Sequence, residues 1–272
     1  MNKVILLFTT CHTNCALKKT IAMSSALVLS LLALSTLVTA FISGVLGMAG
    51  GMILMGVLLA LLPLPAAMML HGVVQAASNG WRALLLRRQI DWRITTGYLA
   101  GALFAFGMFA LVQIVVDKAT ALVLLGLTPF AALALPERIQ LNVERRGHPF
   151  ACGLVCLALS LTAGVSGPIL DAFFLRSTLS RHAVVATKAF TQSLSHALKI
   201  GYFGAVLSTG TGGEMVTPWF AAVLVALAFI GTSLSRRVLE GISDAVFRRW
   251  TRWTVMTMGL AYLISGLRLW LA

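Results

Sequence analysis

The sequence predicts an all-α membrane protein, a polytopic bundle of transmembrane helices built from two inverted repeats. Its 272 residues are 59% hydrophobic and only 11% charged, with a mean hydropathy of +0.93, whereas soluble domains carry roughly 25% charged residues. Long apolar runs recur along the chain, and about 20 helical residues are enough to cross the ~30 Å hydrocarbon layer of a bilayer. Spanning strands would be alternating segments of about ten residues, and these runs do not alternate.

A glycine cluster and a polar stripe occur once in each half of the chain. The cluster at 44–51 is matched by 164–167, because Gly164 follows Gly44 by 120 positions. The first stripe consists of His71, Gln75, Ser78, Asn79 and Arg82, and the second, 117 positions later, consists of Lys188, Gln192, Ser195, His196 and Lys199. Duplication with equivalent chemistry in both halves is typical of secondary transporters. It predicts a first membrane repeat at 23–136, a polar connector at 137–149 and a second repeat at 150–272, after an N-terminal extension at 1–22.

Proline, glycine and charged residues divide the chain into segments, because they interrupt an apolar helix. The predicted segments are 22–42, 52–62, 66–86, 95–116 and 119–135 in the first half, and 150–163, 169–175, 183–207, 218–233 and 253–270 in the second. Each repeat thus contains a glycine-tipped hairpin, broken or re-entrant, followed by three spans, which gives about 8–10 membrane segments. Residues 208–217 and 235–252 are predicted loops, and the second of these is the most basic.

The positive charge is explained by loops that face anionic membrane lipid on the cytoplasmic side. With the N-terminus outside and each hairpin leaving the membrane on the side it entered, loops 82–93, 137–146, 176–181 and 236–252 lie inside. These loops hold 14 of the 21 Lys and Arg residues. Treating each hairpin as one ordinary helix leaves the most basic loop outside. We therefore expect the two halves in opposite orientations, with glycine tips that approach each other.

Several other classes of protein and site are not expected. No run of aromatic residues alternates with the basic ones, so the net charge of +13 does not indicate a nucleic-acid partner. The four cysteines form two i, i+4 pairs without the spacing or histidines of a zinc site. Cys152 and Cys156 are expected to be small apolar helix residues. No metal, cofactor or P-loop is predicted. Met23 is an alternative start, which leaves open whether residues 1–22 belong to the mature chain.

The glycine tips and polar stripes predict a central anion site. A hairpin tip inside the bilayer leaves backbone groups unpaired, which is tolerated only beside protein or a water-filled cavity. Glycine permits the turn and a close approach of ligand, and a helix that begins there presents free N–H groups to an anion. The stripe spacing i, i+3, i+4, i+7 places its members on one helix face. The predicted substrate-binding residues are Gly47, Gly50, Gly51, Gln75, Ser78, Asn79, Gly167, Lys188, Gln192, Ser195, His196 and Lys199.

Structural interpretations of the same residues stay open at this point. Ser78 and Ser195 could simply hydrogen-bond a neighbouring helix, at about 0.6 kcal/mol each, and the glycines could serve close helix packing. Arg82 could extend to lipid phosphate at the inner boundary. Asp171 could exchange protons, or it could form an ion pair with Lys188 or Arg176. His196 and Asp171 are the predicted coupling residues, His196 because imidazole changes charge near neutral pH.

The duplicated pattern resembles a known family. Gly-x-x-Gly-x-Ala-Gly-Gly from Gly44, an apolar run and then a Gln-x-x-Ser-Asn helix from Gln75 that ends in basic residues is similar to the TauE/SafE sulfite exporter family. The resemblance covers about residue 36 to the C-terminus. Ala49 stands where the family usually has a third adjacent glycine, and residues 168–170 replace the glycine triplet expected in the second half. The second tip is therefore expected to bind its ligand differently.

The resemblance implies a permease-like secondary transporter, an exporter of sulfite, sulfonate or another small organic anion across a bacterial inner membrane. The expected mechanism is alternating access around a midplane site built from both tips and both stripes. Expected partners are the small anionic substrate, membrane lipid, and a proton or sodium ion for coupling, and a homodimer is left open. The alternatives are an anion channel or another non-catalytic subunit, and an integral-membrane enzyme that uses His71, His196 and Asp171.

Overall fold

The computed structural model describes residues 26–46, 48–134, 141–208, 217–241 and 244–271, and these contain ten α-helices and no strand. For residues 206–208, 236–237, 239–241, 244–245 and 247–248 it describes the backbone alone. The predicted fold class, an all-helical polytopic bundle, is confirmed. The predicted N-terminal extension at 1–22, Gly47 and the start of the connector lie outside the described residues.

Five helices belong to each half of the chain. The first half contains α1 (Ala26–Leu46), α2 (Ala49–Leu61), α3 (Leu64–Leu85), α4 (Trp92–Val112) and α5 (Lys118–Ala134), with a short 3-10 helix at Arg87–Gln89. The second half contains α6 (His148–Thr162), α7 (Gly167–Phe174), α8 (Arg181–Ser208), α9 (Pro218–Gly241) and α10 (Asp244–Leu271). The order is therefore the same in both halves: two helices around a glycine tip, followed by three more.

Local sequence accounts for several of these boundaries. Pro63 precedes α3 and Pro65 lies in its first turn, where a missing N–H group leaves no hydrogen bond unmade. The Asp91 side chain caps α4 by accepting a hydrogen bond from the Ile94 amide at 3.0 Å. Gln113 ends the same helix in the left-handed conformation, with φ of 54°. These boundaries lie within a few residues of the predicted ones.

The predicted loop at 235–252 is wrong. Helix α9 continues to Gly241 and α10 begins at Asp244, so most of this basic stretch is helical. The stretch has no proline and contains good helix formers such as Arg, Leu, Glu and Ala. The two helices therefore extend beyond their apolar spans, and the hydropathy of the sequence marked only the apolar part of each.

The second glycine tip lies at the turn of a hairpin whose two ends meet. The Val143 amide, just before α6, donates to the Phe173 carbonyl at 2.9 Å. Nearby, the Thr178 hydroxyl donates to Glu144 at 2.8 Å. Helix α7 has eight residues and spans about 12 Å, far less than the ~30 Å hydrocarbon layer. The chain therefore turns back at Gly164, which adopts a left-handed φ of 82°.

The two glycine tips contact each other near the middle of the bundle. A methyl group added at Gly167 would lie 2.6 Å from the Cβ of Met48, and one added at Gly164 would lie 2.7 Å from the Met55 sulfur. Helix α2, with 13 residues, spans about 20 Å and also stops short of a full crossing. Two partial crossings thus end against each other, as the sequence predicted for segments 44–51 and 164–168.

Helices of the two halves pack in equivalent pairs. The α3 and α8 helices lie against each other, as do α5 and α10. Helix α4 packs on α6, and its counterpart α9 packs on α1, where Gly231 approaches the Leu37 carbonyl. Helices α3 and α8 run antiparallel, because Gly72 lies beside Ile200 while Ser193 donates to the Ala76 carbonyl at 3.1 Å. Each contact between halves thus has a counterpart.

Four helices among the described residues are long and apolar enough to cross a membrane. They cover Ala26–Leu46, Trp92–Val112, Pro218–Ser235 and Arg249–Leu271, and each is mostly exposed on the outside of the bundle. These helices therefore present the lipid-facing surface. The polar stripes belong to α3 and α8, which lie between them and are more buried.

The packing of α4 on α6 generates a testable prediction. A methyl group at Gly101 would overlap the Phe150 backbone, whereas one at Gly107 on the same helix meets nothing within 4 Å. Alanine in a helix is favoured over glycine by about 1 kcal/mol, so Gly107→Ala should leave thermal stability in detergent unchanged or slightly raised. Gly101→Ala should lower the free energy of unfolding by about 1–3 kcal/mol, because α4 and α6 must move apart to admit the methyl group. Equal melting temperatures for the two variants would contradict this packing.

Candidate functional site

A cavity of about 130 Å³ lies where both glycine tips and both polar stripes meet. Its wall is formed by the end of α1, the tips that begin α2 and α7, and one face each of α3 and α8. Eight predicted site or coupling residues line it: Gly51, Gln75, Asn79, Gly167, Asp171, Lys188, Gln192 and His196. Residues far apart in sequence are therefore brought to one small polar space.

The cavity has a partly exposed mouth and a buried inner end. At the mouth, the side chains of Lys188 and Asp171 are 25% and 37% exposed. At the inner end, His71 is 1% and His196 6% exposed. Water can therefore reach the Asp171 end more readily than the His71 end.

A chain of hydrogen bonds closes the inner end and joins the two tips. The Lys199 ammonium, fully buried, donates to His71 Nδ1 at 2.8 Å and to the Gly164 carbonyl at 2.9 Å. His71 Nε2 lies 2.9 Å from the Gly51 carbonyl. A carbonyl can only accept, so Nε2 carries the proton and Nδ1 accepts from Lys199. We call these four residues the inner cluster. It joins a backbone carbonyl of one half to a backbone carbonyl of the other.

A second cluster of charges surrounds the mouth. Lys188 forms an ion pair with Asp171, and both side chains line the cavity. Arg82 also lines the cavity, and its Nη2 donates to the Ser43 carbonyl at 3.3 Å. We call these four residues the mouth cluster. With two cations and one carboxylate, it gives the cavity a net positive wall that suits an anion.

The two clusters occupy equivalent positions in the two repeats. His71 and Lys188 are equivalent by the stripe offset, and so are Arg82 and Lys199. Their acceptors are equivalent by the tip offset: Gly51 corresponds to Asp171, and Gly164 corresponds to Gly44, next to Ser43. Two contacts of the inner cluster thus have counterparts at the mouth: His71 with Gly51 corresponds to Lys188 with Asp171, and Lys199 with Gly164 corresponds to Arg82 with Ser43. The hydrogen bond between Lys199 and His71 belongs to the inner cluster alone. The inner contacts are buried and the mouth contacts are partly exposed.

His196 places an unsatisfied polar atom beside the cavity. Its Nδ1 is buried and has no hydrogen-bond partner among the described residues. Its ring lies 5.4 Å from that of His71 in an edge-to-face arrangement. On the opposite helix, the Asn79 amide donates to Gln75 at 3.3 Å. An unpartnered buried nitrogen is costly, so this part of the wall is suited to bind a polar ligand.

Comparison with known proteins identifies the family. A family model described as Sulfite exporter TauE/SafE matches residues 31–262. The chain belongs to this family. No curated protein and no solved structure matched the chain. The match spans both glycine tips and both stripes, so it covers the part of the chain that encloses the cavity. The chain is accordingly a membrane protein of a transporter family, and the resemblance noted in the sequence is confirmed.

Four of the predicted TauE/SafE site residues lie outside the cavity wall. Gly50 packs against the Thr39 and Ser43 backbone of α1, where no side chain would fit. Lys199 lies behind His71 in the inner cluster. Ser78 and Ser195 each contact another helix, as detailed below. Gly47 lies outside the described residues.

The two stripe serines fix α3 and α8 to their neighbours. Ser78 shares a hydrogen bond with Thr232 of α9 at 2.7 Å, and Ser195 shares one with Tyr98 of α4, also at 2.7 Å. The contacts are equivalent in the two halves, because α9 follows α8 as α4 follows α3. Their position supports the structural interpretation that the sequence left open for both serines.

Some cavity residues were missed by sequence reasoning or named without being assigned to the site. His71 and Arg82 line the cavity, and they were named in the first stripe but not among the predicted binding residues. Ser43 and Ser166 line it as well, and neither was predicted. Ser43 directly precedes the first glycine cluster, and Ser166 lies inside the second. Their position beside the tip glycines was the available signal.

The inner cluster predicts energetic coupling between two distant residues. Lys199→Met and His71→Phe each leave buried acceptors or donors unpaired, at about 1–3 kcal/mol for each group. Lys199→Met leaves the His71 Nδ1 acceptor unpaired, and His71→Phe removes that acceptor. The double variant should therefore be less destabilised than the sum of the two single variants, by at least about 1 kcal/mol. Thermal unfolding of the four proteins in detergent measures this coupling. Additive effects would show that the two side chains do not interact.

Proposed function

We propose that this protein is a secondary transporter that exports a small anion, such as sulfite, a sulfonate or another organic anion, across a bacterial inner membrane. The observation that carries the proposal is a polar cavity lined jointly by both tips, both stripes and the cations Arg82 and Lys188. Glycine in the wall at Gly51 and Gly167 lets a ligand approach the backbone closely. Membership of the TauE/SafE family supports the transported class.

The arrangement favours alternating access. The inner cluster closes one end of the cavity with buried hydrogen bonds, while the mouth cluster is partly exposed at the other. In the inverted repeat, exchange of the two arrangements would open the inner end and close the mouth, because the contacts of His71 and Lys199 with the glycine tips have equivalents in those of Lys188 and Arg82. The mouth lies on the side of the basic loops, which the positive-inside rule places in the cytoplasm. We therefore assign the structure to an inward-facing state.

The alternatives make different demands on the cavity. A channel needs a continuous path, and the buried Lys199–His71–Gly51 contacts interrupt it. An integral-membrane enzyme would use His71, His196 and Asp171 as catalytic groups, and in this structure His71 is already engaged by Lys199 and the Gly51 carbonyl. In liposomes, a channel would give passive flux without saturation, and an enzyme would give turnover without net flux. A proton or sodium ion is the proposed coupling partner. Residues 31–262 form the proposed transport unit, alone or in a homodimer.

Ligand binding can be tested on purified protein by thermal shift with sulfite, thiosulfate, sulfonates and carboxylates. An anion at about 100 times its Kd stabilises the folded state by about 2.7 kcal/mol, which raises the melting temperature by several degrees. Gln192→Ala should abolish this rise, because Gln192 lines the cavity. Gln89→Ala, at an exposed position of the 3-10 helix, should keep it. The proposal fails if no anion stabilises the protein, or if both variants respond alike.

The coupling role of His196 can be tested by the pH dependence of transport. If protonation of His196 drives the cycle, His196→Ala should transport anion with a flattened pH profile in proteoliposomes. His182→Ala, an exposed histidine on the same helix, should retain the profile of the unmodified protein. An unchanged profile in His196→Ala would assign coupling to another group and leave the anion site itself untouched.

A further inference from the structure

The ion pair between Lys188 and Asp171 faces the cavity. Both side chains line it and retain 25% and 37% of their exposure. A partly exposed ion pair adds little to the stability of a fold, so holding helices together does not account for this one. This pair instead places the cation and its carboxylate where a dissolved anion would arrive. The anion and Asp171 therefore compete for the same ammonium group.

The equivalent contact in the first half is made with a group that cannot leave. There, His71 donates to the Gly51 carbonyl, which belongs to the backbone of α2. In the second half the acceptor is a side-chain oxygen on α7, Asp171. A carboxylate can rotate about two side-chain bonds between staggered positions, whereas a helical carbonyl is fixed. The Lys188 ammonium can therefore exchange Asp171 for another oxygen acceptor. His71 cannot leave the Gly51 carbonyl unless the glycine tip moves.

We propose that Asp171 is a tethered competitor that occupies Lys188 in the absence of substrate and is displaced by the transported anion. The inference rests on the proposed function as an anion transporter, and it adds a residue that sets the affinity. Substrate oxygen replaces carboxylate oxygen on Lys188, so the ammonium exchanges one anionic partner for another. The displaced carboxylate is at the exposed mouth and becomes solvated there. No covalent bond changes.

A tethered competitor has a measurable consequence. The apparent Kd equals the intrinsic Kd divided by the fraction of protein in which the site is free. If the Lys188–Asp171 pair is formed about nine-tenths of the time, the apparent Kd is raised about tenfold. The carboxylate also returns to Lys188 when substrate departs, which assists release. Asp171 therefore limits affinity and supports turnover.

The experiment measures binding of methanesulfonate and of sulfite to the full chain by isothermal titration in detergent. Asp171→Asn removes the competing charge and keeps the size of the side chain. The Kd of Asp171→Asn for these anions should be about tenfold lower than that of the unmodified protein. In proteoliposomes the same variant should show a lower KM together with a lower kcat, because substrate leaves Lys188 more slowly. A residue that only stabilised the fold would instead lower the melting temperature and leave the Kd unchanged or higher.

Two controls separate competition from other effects of charge. Asp117→Asn makes the same change of charge outside the spans. Hydrogen bonds from the Thr120 hydroxyl and amide hold the pKa of Asp117 below its usual range, so that residue is ionised at neutral pH. Its substitution should leave the Kd within about twofold. In a Lys188→Met background, Asp171→Asn should no longer tighten binding, because the contested ammonium is absent.

The outcomes separate this inference from the proposed function. If the unmodified protein and all variants bind neither these two anions nor the thiosulfate and carboxylates of the thermal-shift screen, the proposed function fails. If the unmodified protein binds and Asp171→Asn binds equally or more weakly, Asp171 is not a competitor, and the transport proposal stands. The inference also fails if Asp171→Asn tightens binding equally in the Lys188→Met background, since a general field effect would then explain the gain.

Discussion

The fold depends on satisfying backbone groups exposed where two helical hairpins end inside the bundle. Within a bilayer, every unpaired carbonyl is costly, because no water is available to bond it. Carbonyls of this kind belong to Ser43, in the last turn of α1, and to Gly164, at the second tip; they accept hydrogen bonds from Arg82 and Lys199. Because these carbonyls need hydrogen-bond donors, cationic side chains lie deep inside the bundle. Arg82, which donates to the Ser43 carbonyl, also lines the cavity and contributes to its positive wall.

Because the unit is duplicated, a related group of contacts lies at each end of the cavity. The inner contacts of His71 with Gly51 and of Lys199 with Gly164 correspond in sequence to the mouth contacts of Lys188 with Asp171 and of Arg82 with Ser43. The inner contacts are buried and the mouth contacts are partly exposed. A strictly symmetric protein would have a cavity with two identical ends, whereas a transporter must keep one end closed at a time. The replacement of a backbone oxygen at Gly51 by a carboxylate at Asp171 makes the ends chemically distinct as well.

The rest of the bundle holds the two stripe helices in position. Hydrophobic burial cannot hold helices together in lipid, so close backbone contact and side-chain hydrogen bonds take its place. Glycine permits the close approach of α4 to α6 and of α5 to α10, where Gly126 meets the Gly259 carbonyl. The hydrogen bond of Ser78 to Thr232 fixes α3 to α9, and the hydrogen bond of Ser195 to Tyr98 fixes α8 to α4. Rigid outer helices thus frame a polar interior.

The sequence by itself determined the all-helical membrane class, the duplicated order of elements and the meeting of the two tips, because hydropathy and offsets are properties of the chain. It also indicated most of the cavity wall, since a spacing of i, i+3, i+4, i+7 fixes one helix face. It did not determine which polar residues of that face reach the cavity. On α3, Ser78 shares its face with Gln75 and Asn79, yet it contacts Thr232. On α8, Ser195 and Lys199 share their face with Gln192 and His196, yet they contact Tyr98 and His71. Only the tertiary structure decided this, because each choice depends on which neighbouring helix presents a partner within hydrogen-bond distance.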